Sequence, residues 1–313
     1  MVTVRNMACA YGNMCHHCAM HRIVASTAIF ALSLLAALPT NAQDSQEAQA
    51  LFGGTEPRDT ETVFDDTWLA IGFGVRINSS YDGSDDYVTY ALPALAGSIE
   101  GIEFSPRAAG LAVTLLETDL SRNVEFTAGP VGRLRANRVR KIKDPVVAAA
   151  GKLDTAVELG VDMGLTFKRV LTKYDRISIG TDVRWDVAGA HSGFVLDPGI
   201  AYRTPLSRGI VLGLSAGGQY ADGEYMRYYY SVTPIQSAGS GLPQFSANAG
   251  WFKAGGAVAL GVDLDGNLDN GGFVLGVLAG YSRMLGDAAR SPYTSIRGDA
   301  DQFHVAGGVG FIF

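Results

Sequence analysis

The chain has 313 residues and a formal net charge of −6, with 39 glycines beside 13 tyrosines and 14 phenylalanines. That acidic balance excludes nucleic acid as an expected partner. After residue 40 no apolar run approaches the roughly 18 to 20 residues that a membrane helix needs; the length allows one large domain or two small ones, and a composition rich in glycine and aromatics points to a β protein.

At the N-terminus, Ile23 to Leu38 is an apolar run preceded by His21 and Arg22. It ends at Pro39-Thr40-Asn41-Ala42, and polar Gln43 and Asp44 follow. This is the pattern of a secretory signal over residues 1–42, cleaved between Ala42 and Gln43. A start at Met20 would give a signal of ordinary length, so Met20 competes with Met1 as the true start. Cys9, Cys15, His16, His17 and Cys18 have the chemistry of metal ligands, but they lie in or ahead of a discarded segment. No metal and no other cofactor is therefore expected. No cysteine follows residue 18, so the exported chain has no disulfide to form. Removing residues 1–42 takes away Arg5 and Arg22 and no acid, which moves the net charge from −6 to −8.

Residues 43–66 are polar and acidic with a Gly-Gly break, and they read as a disordered periplasmic lead-in. From Trp68 onward the period is two, the mark of a strand with two unlike faces. The first strand, Trp68 to Asn78, sends Leu69, Ile71, Phe73, Val75 and Ile77 one way and Ala70, Gly72, Gly74 and Arg76 the other. After the turn-rich run Ser79 to Asp86 comes a second strand over Tyr87 to Gly97, then short third and fourth strands at 101–106 and 109–117. Further strands are expected at 124–135, 154–168, 176–187, 194–204, 209–220, 246–262 and 272–285. The ninth of the series is open to continuation into the tyrosine run, and an irregular region, 221–245, follows it.

The last strand runs from Gln302 to Phe313, with Phe303, Val305, Val309, Phe311 and Phe313 on one face. An aromatic terminal strand of this kind would be an exposed, aggregation-prone edge in water. In lipid it can close a barrel and meet acyl chains. Twelve strands place short turns (117–122, 173–175, 207–209, 265–267) at one end and long loops at the other, as an antiparallel up-and-down barrel requires. The expected architecture is a transmembrane β-barrel over residues 67–313 in the outer membrane of a Gram-negative bacterium. Its apolar stripe meets outer-membrane lipid, and its terminal aromatics are an insertion signal read by the outer-membrane insertion machinery. A soluble β-sandwich or lipocalin-like barrel would alternate similarly; the export signal and the charges opposite each apolar stripe argue against it.

Those charges are Arg133, Arg135, Glu158, Asp162, Asp182, Arg184, Asp186, Asp197, Arg203 and Arg283, assigned by alternation to the lumen. They would either line a selective pore or fill the interior as a mixed-charge network. His191-Ser192 invites a hydrolase reading, with His304 as the only other histidine after the signal. Catalysis would need a nucleophile, a base and an orienting acid together; a surface-loop histidine and a lumen histidine are the simpler account, and no catalytic residue is assigned. Asp263, Asp265, Asn267 and Asp269 alternate like calcium ligands, but Leu268 and Val274 stand where an EF-hand wants Gly and Glu, so a tight turn is expected. Tyr225 and Tyr228 to Tyr230 could form a ligand platform, an aromatic girdle or an extended hairpin.

Several motifs in order resemble the MipA/OmpV family of outer-membrane proteins. They are Tyr81 to Tyr87 (Tyr-Asp-Gly-Ser-Asp-Asp-Tyr) with Leu92-Pro93, and Leu153-Asp154 with Val157 to Gly160. Next come Tyr225 with Tyr228 to Thr233 and then Ser240 to Pro243, and last Leu285 to Pro292, Gln302 and Phe311 to Phe313. Tyr230-Ser231 departs from the Phe-Gly more usual there. The resemblance implies a non-enzymatic barrel. For its best-known member it implies a scaffold joining a lytic transglycosylase to a penicillin-binding protein; other members resemble stress-related surface proteins. A small-solute channel is the alternative, and a hydrolase using His191 or His304 stands behind it. Because three-residue turns offer little surface, any periplasmic partner is expected to bind the lead-in through Asp44, Glu47, Glu56, Asp59, Glu61, Asp65 and Asp66.

Overall fold

The computed structural model describes residues 62–313. The signal, its cleavage point at Ala42 and Gln43, and lead-in residues 43–61 lie outside the described residues.

The chain forms one closed antiparallel barrel of thirteen strand segments. These are β1 (Trp68–Ser79), β2 (Tyr87–Ile99), β3 (Ile102–Arg107), β4 (Gly110–Thr114), β5 (Leu116–Ser121), β6 (Val124–Arg135) and β7 (Ala156–Lys168). They continue as β8 (Arg176–Asp186), β9 (Phe194–Pro205), β10 (Ile210–Ala221), β11 (Gly250–Asp263), β12 (Gly272–Met284) and β13 (Asp301–Ile312). β4 and β5 are two halves of one strand broken at Leu115, since both pair with β6. The wall therefore has twelve strands. β1 against β13 closes it, from Ala70↔Ile312 to Ile77↔Val305.

The alternation has a simple cause. Ile71, Phe73, Val75 and Ile77 of β1 are about half exposed or more, while Ala70, Arg76 and Asn78 between them are buried. Phe303, Val305, Val309 and Phe313 are exposed in the same outward band, and Phe311 packs between Phe273 and Phe313 at 4.8 and 4.7 Å. Deleting Phe313 removes one ring of this cluster and is expected to lower the fraction of chain inserted in the outer membrane, read as the heat-modifiable band on gels; full insertion would contradict the role given to the stripe.

Three boundaries differ from the sequence expectation by more than two residues, the first being the strand expected at 246–262, which begins at Gly250. The polar segment 117–121 continues the ladder as β5, because Glu117↔Thr127 and Asp119↔Glu125 pairing carries it where side-chain alternation fades. The tyrosine run is helical, neither a strand continuation nor a lipid-facing girdle. Asp222 caps α2 (Gly223–Tyr230) by accepting from Tyr225 N at 3.0 Å, and α3 (Pro234–Ser240) follows with Thr233 and Gln236 in a reciprocal capping box.

The short turns 169–175 and 264–271 each rest on one aspartate. Asp175 accepts from the backbone N–H of Val170, Leu171 and Thr172, and Asp263 from those of Asp265, Gly266 and Asn267. The alternating acids at 263–269 thus build a turn, with Gly266 at φ 86°. Residues 62–66, taken from sequence as the end of the lead-in, fold onto this rim. Val63 N donates to Asp269 O at 2.8 Å, and Phe64 stacks edge-on against Trp68 at 5.1 Å.

Candidate functional site

The lumen is organised by charges on β6 to β9. In register, Asp162, Asp182 and Asp197 stand side by side on three neighbouring strands. Like charges directly opposite destabilise a sheet, so cations must lie between them. Arg184 lies 2.8 Å from Asp182 and also binds Asp197. Arg107 reaches across from the β3–β4 hairpin to Asp162 at 2.9 Å and Asp182 at 3.4 Å. One level up, Glu158 takes Arg135 at 2.5 Å and Arg184 at 3.1 Å. Arg133 stands 3.9 Å from Asp197, whose other oxygen accepts from Gln219 Nε2 at 2.8 Å. Four guanidinium groups thus face four carboxylates, a formally neutral set, and Glu158 and Arg135 are 0% exposed.

Arg203 is buried nearer the short-turn rim. The remaining two of the ten assigned charges sit elsewhere. Asp186 leaves the lumen set and organises the 187–193 loop, accepting from the N–H of Ala188, His191 and Ser192. Arg283 is a correction: it stands outside with Tyr281, exposed, and pairs with Asp301 at 2.7 Å. Odd positions of β12 face lipid from Phe273 onward, and a one-residue slip in counting moves a side chain to the other face. Arg107 was missed because its strand is short, and nothing in the local pattern shows that the hairpin points it across the lumen.

Above Glu158 the lumen is sealed by aromatics. Tyr225, Met226, Tyr229 and Tyr230 of α2 are all buried and pack with Phe252, Val195 and Met284. His191 is no surface-loop residue: it is buried edge-on beneath Tyr225 at 4.9 Å, with Nε2 3.4 Å from Glu158 Oε1 and Nδ1 accepting from Gly193 N at 3.1 Å. Arg135 lies 5.1 Å from the Tyr225 ring centre, a cation–π contact on the underside of the cap. His304 is buried on the inner face of β13.

The remaining loops lock this cap from above. Lys253 and Asp82 form a buried pair at 2.8 Å, and Arg138 lies over the Tyr293 ring at 3.8 Å while donating to Tyr229 O. Ser291 Oγ donates to Tyr230 O at 2.7 Å. Gln302 accepts from Gly83 N and donates to Ser84 O, joining the first loop to the last strand. Asp144 caps α1 (Pro145–Ala149) and binds Arg297 at 2.6 Å. Burial alone would raise the Asp144 carboxyl, but the Arg297 hydrogen bond and the N–H groups of Val147 and Val146 outweigh it and hold the group below its usual value. That clamp is complete above the ordinary carboxylate range and is lost as pH falls below it.

Motifs far apart in sequence therefore meet in one cap: Tyr81 to Ser84, Tyr228 to Ser231, Ser291 and Gln302. A family model described as MltA-interacting protein MipA matches residues 71–313, which takes in all of them. The chain belongs to the MipA family. No curated protein sequence matches it. The MipA-family barrel is similar to solved outer-membrane structures at low identity. An outer-membrane channel from Pseudomonas putida F1 is 10% identical, with 83% of this chain and 100% of that one covered at a TM-score of 0.42. A Pseudomonas aeruginosa FadL homologue is 9% identical over 88% and 98% of the two chains, TM-score 0.27. OprD from the same species is 11% identical over 87% and 98%, TM-score 0.27. This MipA-family chain is an outer-membrane barrel.

Proposed function

We propose that this protein is a non-enzymatic envelope anchor of a Gram-negative bacterium that holds murein-remodelling enzymes, a lytic transglycosylase and a penicillin-binding protein, at the outer membrane. The observation that supports an anchor over a pore is the neutral charge network sealed beneath the α2 tyrosines. A selective channel concentrates one sign of charge along an open path; here both signs neutralise each other, and all of the eight groups but Asp162 are buried. The family description, MltA-interacting protein, supports the choice of partner class. A specific interface needs about 800 Å² per partner, more than turns of a few residues supply, so the acidic segment 43–66 carries most of the contact.

The second reading, a small-solute channel, draws on one observation: the opposite half of the lumen holds a cavity. Planar-bilayer recording separates the two. The anchor reading expects no stable conductance steps from the intact barrel, and regular steps would overturn it in favour of the channel. Purified lytic transglycosylase and penicillin-binding protein should be captured by the full-length barrel. Deleting residues 45–62 should lower capture at least tenfold while the barrel still inserts; undiminished capture would move the contact to the turns or rim.

A further inference from the structure

The wall is not equally sealed all round. β1 and β2 pair along their whole length, from Trp68↔Ser98 to Ser79↔Tyr87. β2 and β3 pair only at Gly97↔Phe104, Ser98↔Glu103 and Ile99↔Ile102, and β3 ends at Arg107. No strand is therefore paired to residues 90–96 of β2 on that side. Each lip carries a proline, Pro93 on β2 and Pro106 on β3, which cannot donate to a ladder. Residues 90–96 are the middle of β2, so this breach opens at the depth of the hydrocarbon. Leu92, Pro93 and Ala94 on one lip and Pro106 and Ala108 on the other also line a lumenal cavity of about 180 Å³. Its far wall is small and apolar, and a Cβ added at Gly276 would meet nothing within 4 Å. Arg76, Arg107 and Arg203 line it too, but all three are engaged with other groups. An engineered apolar cavity of about 150 Å³ holds benzene, so this one takes the last few carbons of an acyl chain.

Charge is offered higher up, where the 136–143 segment crosses the top of the breach. Lys141 Nζ donates to Thr89 O at 2.8 Å and lies 4.5 Å from the centre of the Tyr90 ring. Arg140, Lys141 and Lys143 are exposed. Among the described residues none of the three joins an ion pair, and the acid next in the chain, Asp144, is held by Arg297 at 2.6 Å. Thr89 is the third residue of β2, at the long-loop end. At that same end Trp185 and Trp251 stand exposed on β8 and β11, and outward aromatics at the strand ends mark the headgroup level of a barrel. Three cations without a counter-charge thus stand at the outer headgroup level, over a breach at the level of the acyl chains. Phosphate takes charge-assisted hydrogen bonds from arginine and lysine. A neutral lipid would fill the breach and leave the cations idle, and a free anion would do the reverse; a lipid with an anionic head uses both.

We propose that the breach between β2 and β3 holds a phosphorylated lipid of the outer leaflet, its headgroup on Arg140, Lys141 and Lys143 and one acyl tail passing into the cavity. Trp68 reports on the tail, because it lines the cavity while Trp185 and Trp251, the other two tryptophans, are exposed on the outer face. The full-length barrel carrying Trp185→Phe and Trp251→Phe is placed in phosphatidylcholine nanodiscs. Phosphatidate or phosphatidylcholine, each brominated at the tail end, is then titrated in. Saturable quenching of Trp68 is expected from the phosphatidate, at about a tenth of the mole fraction that the phosphatidylcholine needs. Equal or non-saturating quenching by the two would overturn the site, and this comparison needs no variant of the site to fold. Arg140→Gln with Lys143→Gln should weaken the phosphatidate about tenfold and leave the phosphatidylcholine as it was; unchanged phosphatidate binding would overturn the headgroup site. Gly276→Leu, which fills the cavity, should abolish the quenching in protein that still runs as a heat-modifiable band. Full quenching there would overturn the place given to the tail. Inorganic phosphate at equal concentration should displace no brominated phosphatidate; displacement would assign the loop to a free anion and overturn the lipid.

Discussion

Replacing Glu158 with alanine is expected to cost about 3 to 5 kcal/mol, the penalty for breaking a buried ion pair from one side. The carboxylate is fully buried and is the shared partner of Arg135 and Arg184, with His191 at 3.4 Å. Without it two guanidinium groups lose a counter-charge in a space that water does not reach, and Arg135 sits directly beneath the Tyr225 ring. The loss should therefore loosen the cap as well as the wall. The midpoint of heat modifiability would fall, and proteolysis of the 222–249 loop would speed up. Arg283→Ala serves as the control: its pair with Asp301 is exposed, and exposed pairs contribute little, so that variant should behave as wild type. Equal behaviour of the two variants would mean that the lumen is wetter than the burial of Glu158 implies.

How much of this was legible in the sequence follows from what each element depends on. The strands from Val124 onward were readable to within two residues, apart from the one expected at 246–262 that begins at Gly250, because lipid outside and a small-residue lumen inside impose a period of two. β5 was not, since Glu117 and Asp119 pair through the backbone and their side chains carry no alternation. Arg283 was placed on the wrong face: the odd positions of β12 point outward, and a change of parity by one residue reverses the assignment. The cap was the least legible part. Tyr225 and Tyr228 to Tyr230 pack on side chains of other loops and strands, among them Val195, Phe252, Met284 and Ala288, and no local pattern announces contacts of that range. His191 likewise looks like a loop residue among Ala190, Ser192 and Gly193. Only the tyrosine helix lowered onto it makes it buried.

The reading of the outer face as lipid-facing has its own decisive test. Phe73→Arg is expected to destabilise the barrel by about 2 to 4 kcal/mol, the cost of a cation at the midplane of a barrel's lipid face. Phe73 is 62% exposed and sits mid-way along β1, flanked by Ile71 and Val75 on the same stripe. Leu171 is 74% exposed too, but it lies in the 169–175 turn beyond the strand ends. If water surrounded the barrel, as in a lipocalin-like fold, arginine would be welcome at both sites and neither variant would lose stability. In a bilayer the two must differ, because depth sets the penalty and it falls to about 0 to 1 kcal/mol near the interfaces. Urea titrations of folding into phosphatidylcholine vesicles measure both. A large loss for Phe73→Arg beside a negligible one for Leu171→Arg is the expected pair of results, and two equally small losses would remove lipid from the account of why this chain alternates.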